Sequence, residues 1–329
     1  MKNVLVTGGA GFIGSELVRQ LAERGCHVTV VDNLVNGRAE NLAGLPSKLV
    51  RLEVVDIRDQ LRMAGLLAGV DAVFHLACLG VRHSIHSPFE NHEVNGTATL
   101  QLLSLAKAAA VGRFVYISSS EVYGTAKQVP MPEDHPTFPM TVYGASKLAG
   151  ECYARAFHRT YGYPTVMIRP FNAYGPRCHH EGDSGEVIPK FLLRCLAGQP
   201  LVIFGDGSQT RDFTFVEDTA RGIIEIGLSE LAVGRTVNLG SGHEITINDL
   251  AGEVARLVGR GEAEIVHDEQ RPGDVLRLYA EVALARELVG FAPRVGLAEG
   301  LARLKEWYLA QGTPAEDLLA QEKVRNWLG

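Results

Sequence analysis

Short apolar runs rich in Val, Ile and Phe recur through the first half of the chain. They fall at 3–7 (NVLVT), 27–32 (HVTVVD), 49–54 (LVRLEV), 72–76 (AVFHL), 113–118 (RFVYIS) and 164–169 (PTVMIR). They show little of the alternation of a sheet with one wet face, and so predict strands buried on both faces. Between them, helical patterns cover 12–24, 58–68, 90–110 and 143–161. Strands alternating with helices predict a doubly wound α/β fold, a parallel sheet covered by helices on both sides. From about residue 176 the texture changes: Gly, Pro and His cluster at 175–189 and shorter elements follow. The expected division is residues 1–175 for the large sheet, with some later segments returning to it. Residues 176–329 then form mainly a smaller, discontinuous domain that completes a substrate cleft. The terminal stretch 315–328, with Leu318, Leu319, Val324, Trp327 and Leu328 apolar, reads as an amphipathic helix.

The turn after the first strand carries the first chemical signal. Gly8, Gly11 and Gly14 fit G-x-x-G-x-x-G, and Gly9, Gly11 and Gly14 also fit G-x-G-x-x-G. Strand, glycine turn and helix in this order form the pyrophosphate cradle of a Rossmann-type fold. There Phe12 and Ile13 open the helix whose free N–H groups and dipole face an anion. Asp32 ends the second strand, eighteen residues past Gly14. An acid at that spacing accepts the ribose hydroxyls and repels a 2′-phosphate, which favours NAD over NADP. Asn33 follows it in the same loop. Asp56 and Ile57 end the third strand, near where the adenine would lie. Asp56 reads equally well as a cap for the 58–68 helix. Arg38 reads as ordinary surface charge.

Composition narrows the class of protein. The 329 residues are 46% hydrophobic and 21% charged, enough for a sizeable core. A net charge of -6 argues against a nucleic-acid binder, though not against a diphosphate held by a few arginines. Cys26, Cys78, Cys152, Cys178 and Cys195 form no C-x-x-C pair, which predicts a reducing cytoplasm rather than a disulfide framework. The first seven residues already read as a strand, leaving no room for a signal peptide, and no apolar run is long enough for a membrane span.

Tyr143 and Lys147 stand four residues apart, on one face of a predicted helix. A neighbouring ammonium is expected to stabilise a phenolate and lower the tyrosine pKa, which suits proton removal from an alcohol. Ser119, after the fifth strand, can hydrogen-bond the same alcohol.

Further segments complete a resemblance: H-L-A (75–77), S-S-S-E-V-Y-G (118–124), Y-G-A-S-K (143–147), R-P-F-N-A-Y-G-P-R (169–177) and R-P-G-D (271–274). With T-G-G-A-G-F-I-G (7–14), they resemble the extended short-chain dehydrogenase/reductases, and among them the NAD-dependent epimerase/dehydratase group acting on nucleotide sugars. The resemblance implies a catalytic set of Ser119, Tyr143 and Lys147, with Leu76 and Ala77 lining the cofactor. It also implies substrate contacts from Asn172 and Val187, a diphosphate grip by Arg211 and Arg271, and Asp274 on the nucleotide ribose. The implied partners are a nucleotide-sugar substrate, a UDP-sugar above all, and a second copy of the chain in a homodimer built on the helices 90–110 and 143–161. Two departures stand out. The family's N-x-x-G-T is imperfect: its asparagine falls on Asn95, the preferred alignment, or on Glu93. Cys78 takes a position that is usually small.

The resemblance also frames the reaction. The shared step is transient oxidation at carbon 4 of the sugar. Simple 4-epimerases need no further acid or base, and 4-epimerisation is the expected activity. In dehydratases of the dTDP-glucose kind, which carry Asp-Glu there, the acid protonates the departing 6-hydroxyl and the glutamate removes the carbon-5 proton; the pair here, Ser120-Glu121, resembles instead the UDP-glucuronate decarboxylases and some other 4,6-dehydratases. A non-catalytic NAD-binding regulator on the same fold is the reading from another class. Cys178-His179-His180-Glu181-Gly182-Asp183 is a poor metal pattern and reads as a substrate-covering loop, so no metal is expected. His83 and His86 are expected in a loop near the sugar.

Overall fold

The computed structural model describes residues 2–328. In chain order the first half forms β1 (Asn3–Thr7), α1 (Phe12–Glu23), β2 (His27–Asp32), β3 (Val50–Val54), α2 (Gln60–Leu66) and β4 (Ala72–His75). There follow α3 (Val81–His86), α4 (Pro88–His92), a π turn (Glu93–Thr97), α5 (Ala98–Ala108), β5 (Arg113–Ile117), α6 (Val142–Tyr161) and β6 (Thr165–Pro170). The second half begins with β7 (Asn172–Tyr174), α7 (Val187–Leu196), β8 (Leu201–Phe204), β9 (Thr210–Arg211), β10 (Phe213–Phe215) and α8 (Val216–Leu228). It ends with β11 (Thr236–Leu239), β12 (Ile245–Thr246), α9 (Ile247–Leu257), β13 (Ile265–Asp268), α10 (Ala283–Val289), α11 (Leu297–Ala310) and α12 (Ala315–Leu319).

Seven parallel strands form one sheet in the order β11-β6-β5-β4-β1-β2-β3, the Rossmann-type order with one strand added at the β6 edge. The chain direction reverses between β1 and β4, and there the strand ends leave a crevice for a ligand. Leu5, Val6, Val30, Val31, Phe74, Val115 and Val166 are fully buried, as the unbroken apolar runs predict. Each such side chain contributes about 1.5–3 kcal/mol of burial. On one face α1, α8 and α10 cover Val4, Val6, Val28 and Phe74; on the other α2, α5 and α6 cover Leu5, Val31, Val73 and Phe114. A separate core gathers α7, α9, α11 and α12 around Phe191, Leu192, Leu250 and Leu304. The later segments α8 and β11 return to the sheet, where Val237 pairs with Ile168.

Three local readings need correction. The helix expected at 90–110 is interrupted: Pro88 opens a short α4, and a π turn precedes α5. There the His92 ring packs over Gly96, 2.9 Å from where a Cβ on it would be. His83 and His86 lie in a helix, α3, rather than a loop. At the terminus only Ala315–Leu319 is helical. The remaining tail is held by scattered contacts, with Trp327 edge-on to Phe204 at 4.6 Å and Asn326 donating to the Gly185 carbonyl at 3.1 Å.

Candidate active site

The crevice opens into a cavity of about 690 Å³ lined from Gly8 and Asp32 at one end to Arg211, Arg271 and Asp274 at the other. At the first end, β1 runs into a turn that only glycine allows. Gly8 has φ +69°, and a Cβ on it would lie 2.7 Å from the Ala77 nitrogen. A Cβ on Gly14 would lie 2.0 Å from the Gly8 carbonyl oxygen. Gly11, at the head of α1, has no side chain to cap the first-turn amides of Phe12 and Ile13. The cradle therefore keeps room and donors for a pyrophosphate.

Asp32 is buried, and its carboxylate accepts from the amides of Ala10 (3.0 Å) and Leu34 (2.9 Å). Each oxygen keeps a lone pair for a ribose hydroxyl. Asn33 donates to Asp56 at 3.0 Å, and Arg58 grips the same carboxylate with Nε (2.9 Å) and Nη2 (2.8 Å). That Arg58 hydrogen bond pulls the Asp56 pKa down to about 2, against burial. Asp56 does not cap the next helix. Asp59 does, accepting from the Arg62 amide at 3.0 Å. Asp56 and Ile57 instead line the cavity with Leu76 and Ala77. Replacing Asp32 with Ala is expected to weaken NAD while harming NADP less. Competitive binding that shows wild-type protein preferring NADP would remove Asp32 from this role.

Next along the cavity, Thr141 caps α6 by accepting from the Gly144 amide at 3.2 Å, which sets Tyr143 in the first turn. The Ser119 side chain lies close enough to Tyr143 to favour its phenolate. Ser119 accepts from the Glu121 amide at 3.2 Å. Lys147 is buried one turn further on, and its ammonium donates to the Ile117 carbonyl at 2.6 Å. Here one expectation fails. Burial, helped by the charges of Cys78, Glu121 and Glu186, pushes the Tyr143 pKa well up despite the nearby Ser119 side chain. The Lys147 ammonium is itself pushed down by burial. His75, pushed down to about 3 by burial and by Lys147, bridges Thr7 (2.7 Å) and Thr99 (2.8 Å) as a neutral ring.

Asn95 ties this wall together. Its Oδ1 accepts from the Leu79 amide at 2.8 Å, while Nδ2 donates to the Leu79 carbonyl (2.9 Å), Asn91 (3.1 Å) and Ser146 (3.2 Å). The loop after β4, the π turn and α6 are thereby joined by one side chain.

At the far end Asp274 is clamped by Arg211 (2.8 Å) and Arg271 (2.5 Å). Arg271 Nε and Asn172 Oδ1 are buried without a partner, each costing about 1–3 kcal/mol unless a bound group supplies one. Val187, at the head of α7, lines the same space. Burial raises the Glu121 carboxyl, and the charges of Arg211 and Arg271 oppose it. The segment 178–186 crosses above. Glu181 pairs with Arg38 (2.8 Å), Ser184 with Asn36 (3.4 Å) and Asp183 with His86 (2.9 Å). Arg38 is thus a bridge rather than free surface charge. Among the described residues no group of three His, Cys, Asp or Glu is placed to hold a metal ion, and no helix is long and apolar enough to cross a membrane. Sequence reasoning missed Arg82 and Glu186, which pair at 3.1 Å in the cavity wall. The only signal was an arginine five residues after H-L-A.

The sheet order, the glycine cradle with Asp32, and the Ser119, Tyr143 and Lys147 cluster define a dinucleotide-dependent enzyme of the short-chain dehydrogenase/reductase type. Residues 4–240 match the NAD dependent epimerase/dehydratase family, and the chain belongs to it. Its cofactor is NAD, which the cradle around Gly8 and Gly14 fits. The UDP-glucose 4-epimerase of Mycolicibacterium smegmatis is 38% identical over 312 residues, covering 92% of this chain and 97% of that one. The dTDP-glucose 4,6-dehydratase of Streptomyces niveus is 37% identical over 314 residues, 93% of this chain and 92% of that one. UDP-glucuronic acid decarboxylase 1 of Arabidopsis thaliana is 35% identical over 92% of this chain and 68% of its own. The crystal structure of the Thermotoga maritima UDP-glucose 4-epimerase with UDP-glucose has a TM-score of 0.89 at 33% identity, covering 94% of this chain and all of that one. The relatives thus share a family while differing in reaction.

Proposed function

We propose that the protein is a nucleotide-sugar 4-epimerase, with a UDP-sugar as substrate. The observation that carries this reading is the residue before Glu121. Dehydratases of the dTDP-glucose kind place an aspartic acid before the glutamate to protonate the departing 6-hydroxyl, and here that neighbour is Ser120, a buried hydroxyl and a far weaker acid.

NAD supplies the acceptor and donor of a hydride at carbon 4. Tyr143 takes the proton of the 4-hydroxyl as that carbon is oxidised and gives it back when the ketone is reduced. Ser119 holds the same oxygen. Lys147, fixed on the Ile117 carbonyl, lies one helical turn behind Tyr143. Arg211 and Arg271 hold the diphosphate with guanidinium forks, Asp274 orients them and meets the ribose, and Asn172 meets the sugar. Between hydride removal and return the 4-keto sugar must present its other face. We also infer that α5 and α6, which pack side by side with Leu100 and Tyr161 exposed, form the face on which two copies pair.

Decarboxylation is the second reading, because it needs Glu121 and no proton donor for a leaving hydroxyl. Turnover in D₂O separates the reactions. A 4-epimerase returns the same hydride to carbon 4 and leaves carbon 5 intact, so its product should hold no carbon-bound solvent deuterium by NMR. Deuterium at carbon 5 would overturn the assignment. A dehydratase would then also stall in Glu121→Gln after cofactor reduction, and a decarboxylase would release carbon dioxide.

A further inference from the structure

We propose that the C-terminal tail, residues 321–328, is a working wall of the substrate cavity, with Asn326 as the positioning residue that holds the covering segment 178–186 in place. The inference rests on the nucleotide-sugar reading above. Glu322, Val324, Asn326 and Trp327 line the same cavity as Val187, Arg211 and Asp274. The tail lies beyond α12, the last helix. Ordering a chain end outside a helix costs backbone entropy at every residue. Here that cost is offset by bonds to the body of the protein. Lys190 of α7 donates from Nζ to the Lys323 carbonyl at 2.8 Å, and Arg194 of the same helix pairs with Glu322 at 2.8 Å. At the end of β13, Asp268 accepts from Arg325 Nε at 3.0 Å and Nη2 at 2.6 Å.

The tail passes this fixity to the covering segment. The Gly182 amide donates to the Gln321 carbonyl at 3.0 Å, Lys323 pairs with Asp183 at 3.0 Å, and Asn326 Nδ2 donates to the Gly185 carbonyl at 3.1 Å. The side chains of the Lys323–Asp183 pair are 54% and 31% exposed, so solvent screens it and it holds little. Asn326 is 2% exposed, and water does not readily replace a buried bond that is lost. It is therefore the stronger side-chain link between tail and cover. Its acceptor sits in a tight fold: a Cβ on Gly185 would lie 2.5 Å from Lys190 Cε and 2.8 Å from the His180 carbonyl oxygen. The next two residues, Glu186 and Val187, line the cavity, so a shift at Gly185 reaches the substrate directly. Tyr143 and Lys147 stand instead on α6, placed by Thr141 and the Ile117 carbonyl, and share none of these bonds. The tail thus governs the hold on the nucleotide sugar and leaves the chemistry at carbon 4 alone.

The test measures binding and release of UDP, dTDP and GDP by the NAD-loaded full-length protein, using calorimetry and stopped-flow mixing. Asn326→Asp keeps the side chain's size but sets a carboxylate against the Gly185 carbonyl where a donor stood. It should speed nucleotide release, and raise KM for the nucleotide sugar, by on the order of 10-fold. Its kcat and its NAD affinity should stay at the wild-type values, and the retained NAD affinity also shows that the variant folds. A chain ending at Ala320 opens the cavity wall to water and should lose on the order of 10²-fold in nucleotide affinity. A tail that only stabilises the fold would lower the melting temperature of Asn326→Asp and leave KM and nucleotide release unchanged, which overturns the proposal. A fall in kcat with KM unchanged overturns it too. The two readings fail separately. A wild type that binds none of the three nucleotides removes the nucleotide-sugar reading and the tail's role with it. A wild type that binds one of them, beside an Asn326→Asp variant that binds it as well, removes the tail's role alone.

Discussion

Tyr143→Phe should slow turnover by about 10²–10⁴-fold while NAD binding stays intact, because the change removes one oxygen that moves a proton and no part of the cofactor cradle. The loss should appear in cofactor reduction itself, followed at 340 nm in a single turnover. Burial and the neighbouring Cys78, Glu121 and Glu186 hold the Tyr143 hydroxyl protonated well above its usual range. The form that accepts a proton is the phenolate, so in the wild type reduction of the cofactor by sugar should quicken as pH rises from neutral. The variant has no titrating phenol and should lose that rise. Turnover near the wild-type rate in Tyr143→Phe would exclude Tyr143 as the base. An unchanged rate with a lost pH dependence would be equally damaging.

Gly14→Ala is expected to lower NAD affinity by at least about 10²-fold, since a misplaced backbone amide at an anion site forfeits several charge-assisted hydrogen bonds. The added Cβ would lie 2.0 Å from the Gly8 carbonyl oxygen and 2.8 Å from the Gly9 Cα. Both neighbours are backbone atoms of the cradle and cannot rotate away. The turn must open, and the first-turn amides of α1 then point elsewhere. Gly65→Ala in α2 is the matched control, because nothing lies within 4 Å of a Cβ there. That change should leave NAD binding alone and add about 0.5–1 kcal/mol of stability in a thermal melt. Wild-type NAD affinity in Gly14→Ala would show that the cradle does not bind the pyrophosphate.

The parts legible in the sequence are those where one residue type answers one local demand. Unbroken apolar runs marked β1, β2, β4, β5 and β6 to within a residue or so, because strands buried on both faces admit little else. Gly8 and Gly14 were readable because no other residue fits, and Tyr143 and Lys147 because four residues make one helical turn. What escaped depends on partners distant in sequence. Arg82 and Glu186 meet across 104 residues, and neither has a local pattern that announces the other. The helix α3 hid because its six residues, VRHSIH, carry weak helical propensity and owe their shape to packing. The break before α5 is a π turn over Glu93–Thr97 in which His92 packs over Gly96, a contact within one turn that periodicity does not register. The tail beyond Leu319 kept apolar residues at helical spacing, yet it is spent on separate anchors: Trp327 on Phe204 and Asn326 on Gly185.

The Asn95 amide has a kinetic meaning as well as a structural one. It fastens the Leu79 backbone, Asn91 and Ser146 to one another, so the floor that carries Tyr143 and the wall beside the dinucleotide cannot shift independently. The opposite side of the cavity is held by several separate contacts: side-chain bridges from Glu181, Asp183 and Ser184, and the Gly182 amide on the Gln321 carbonyl at 3.0 Å. One side of the cavity is thus tied by a single buried amide, and the other by several separate bridges near the surface.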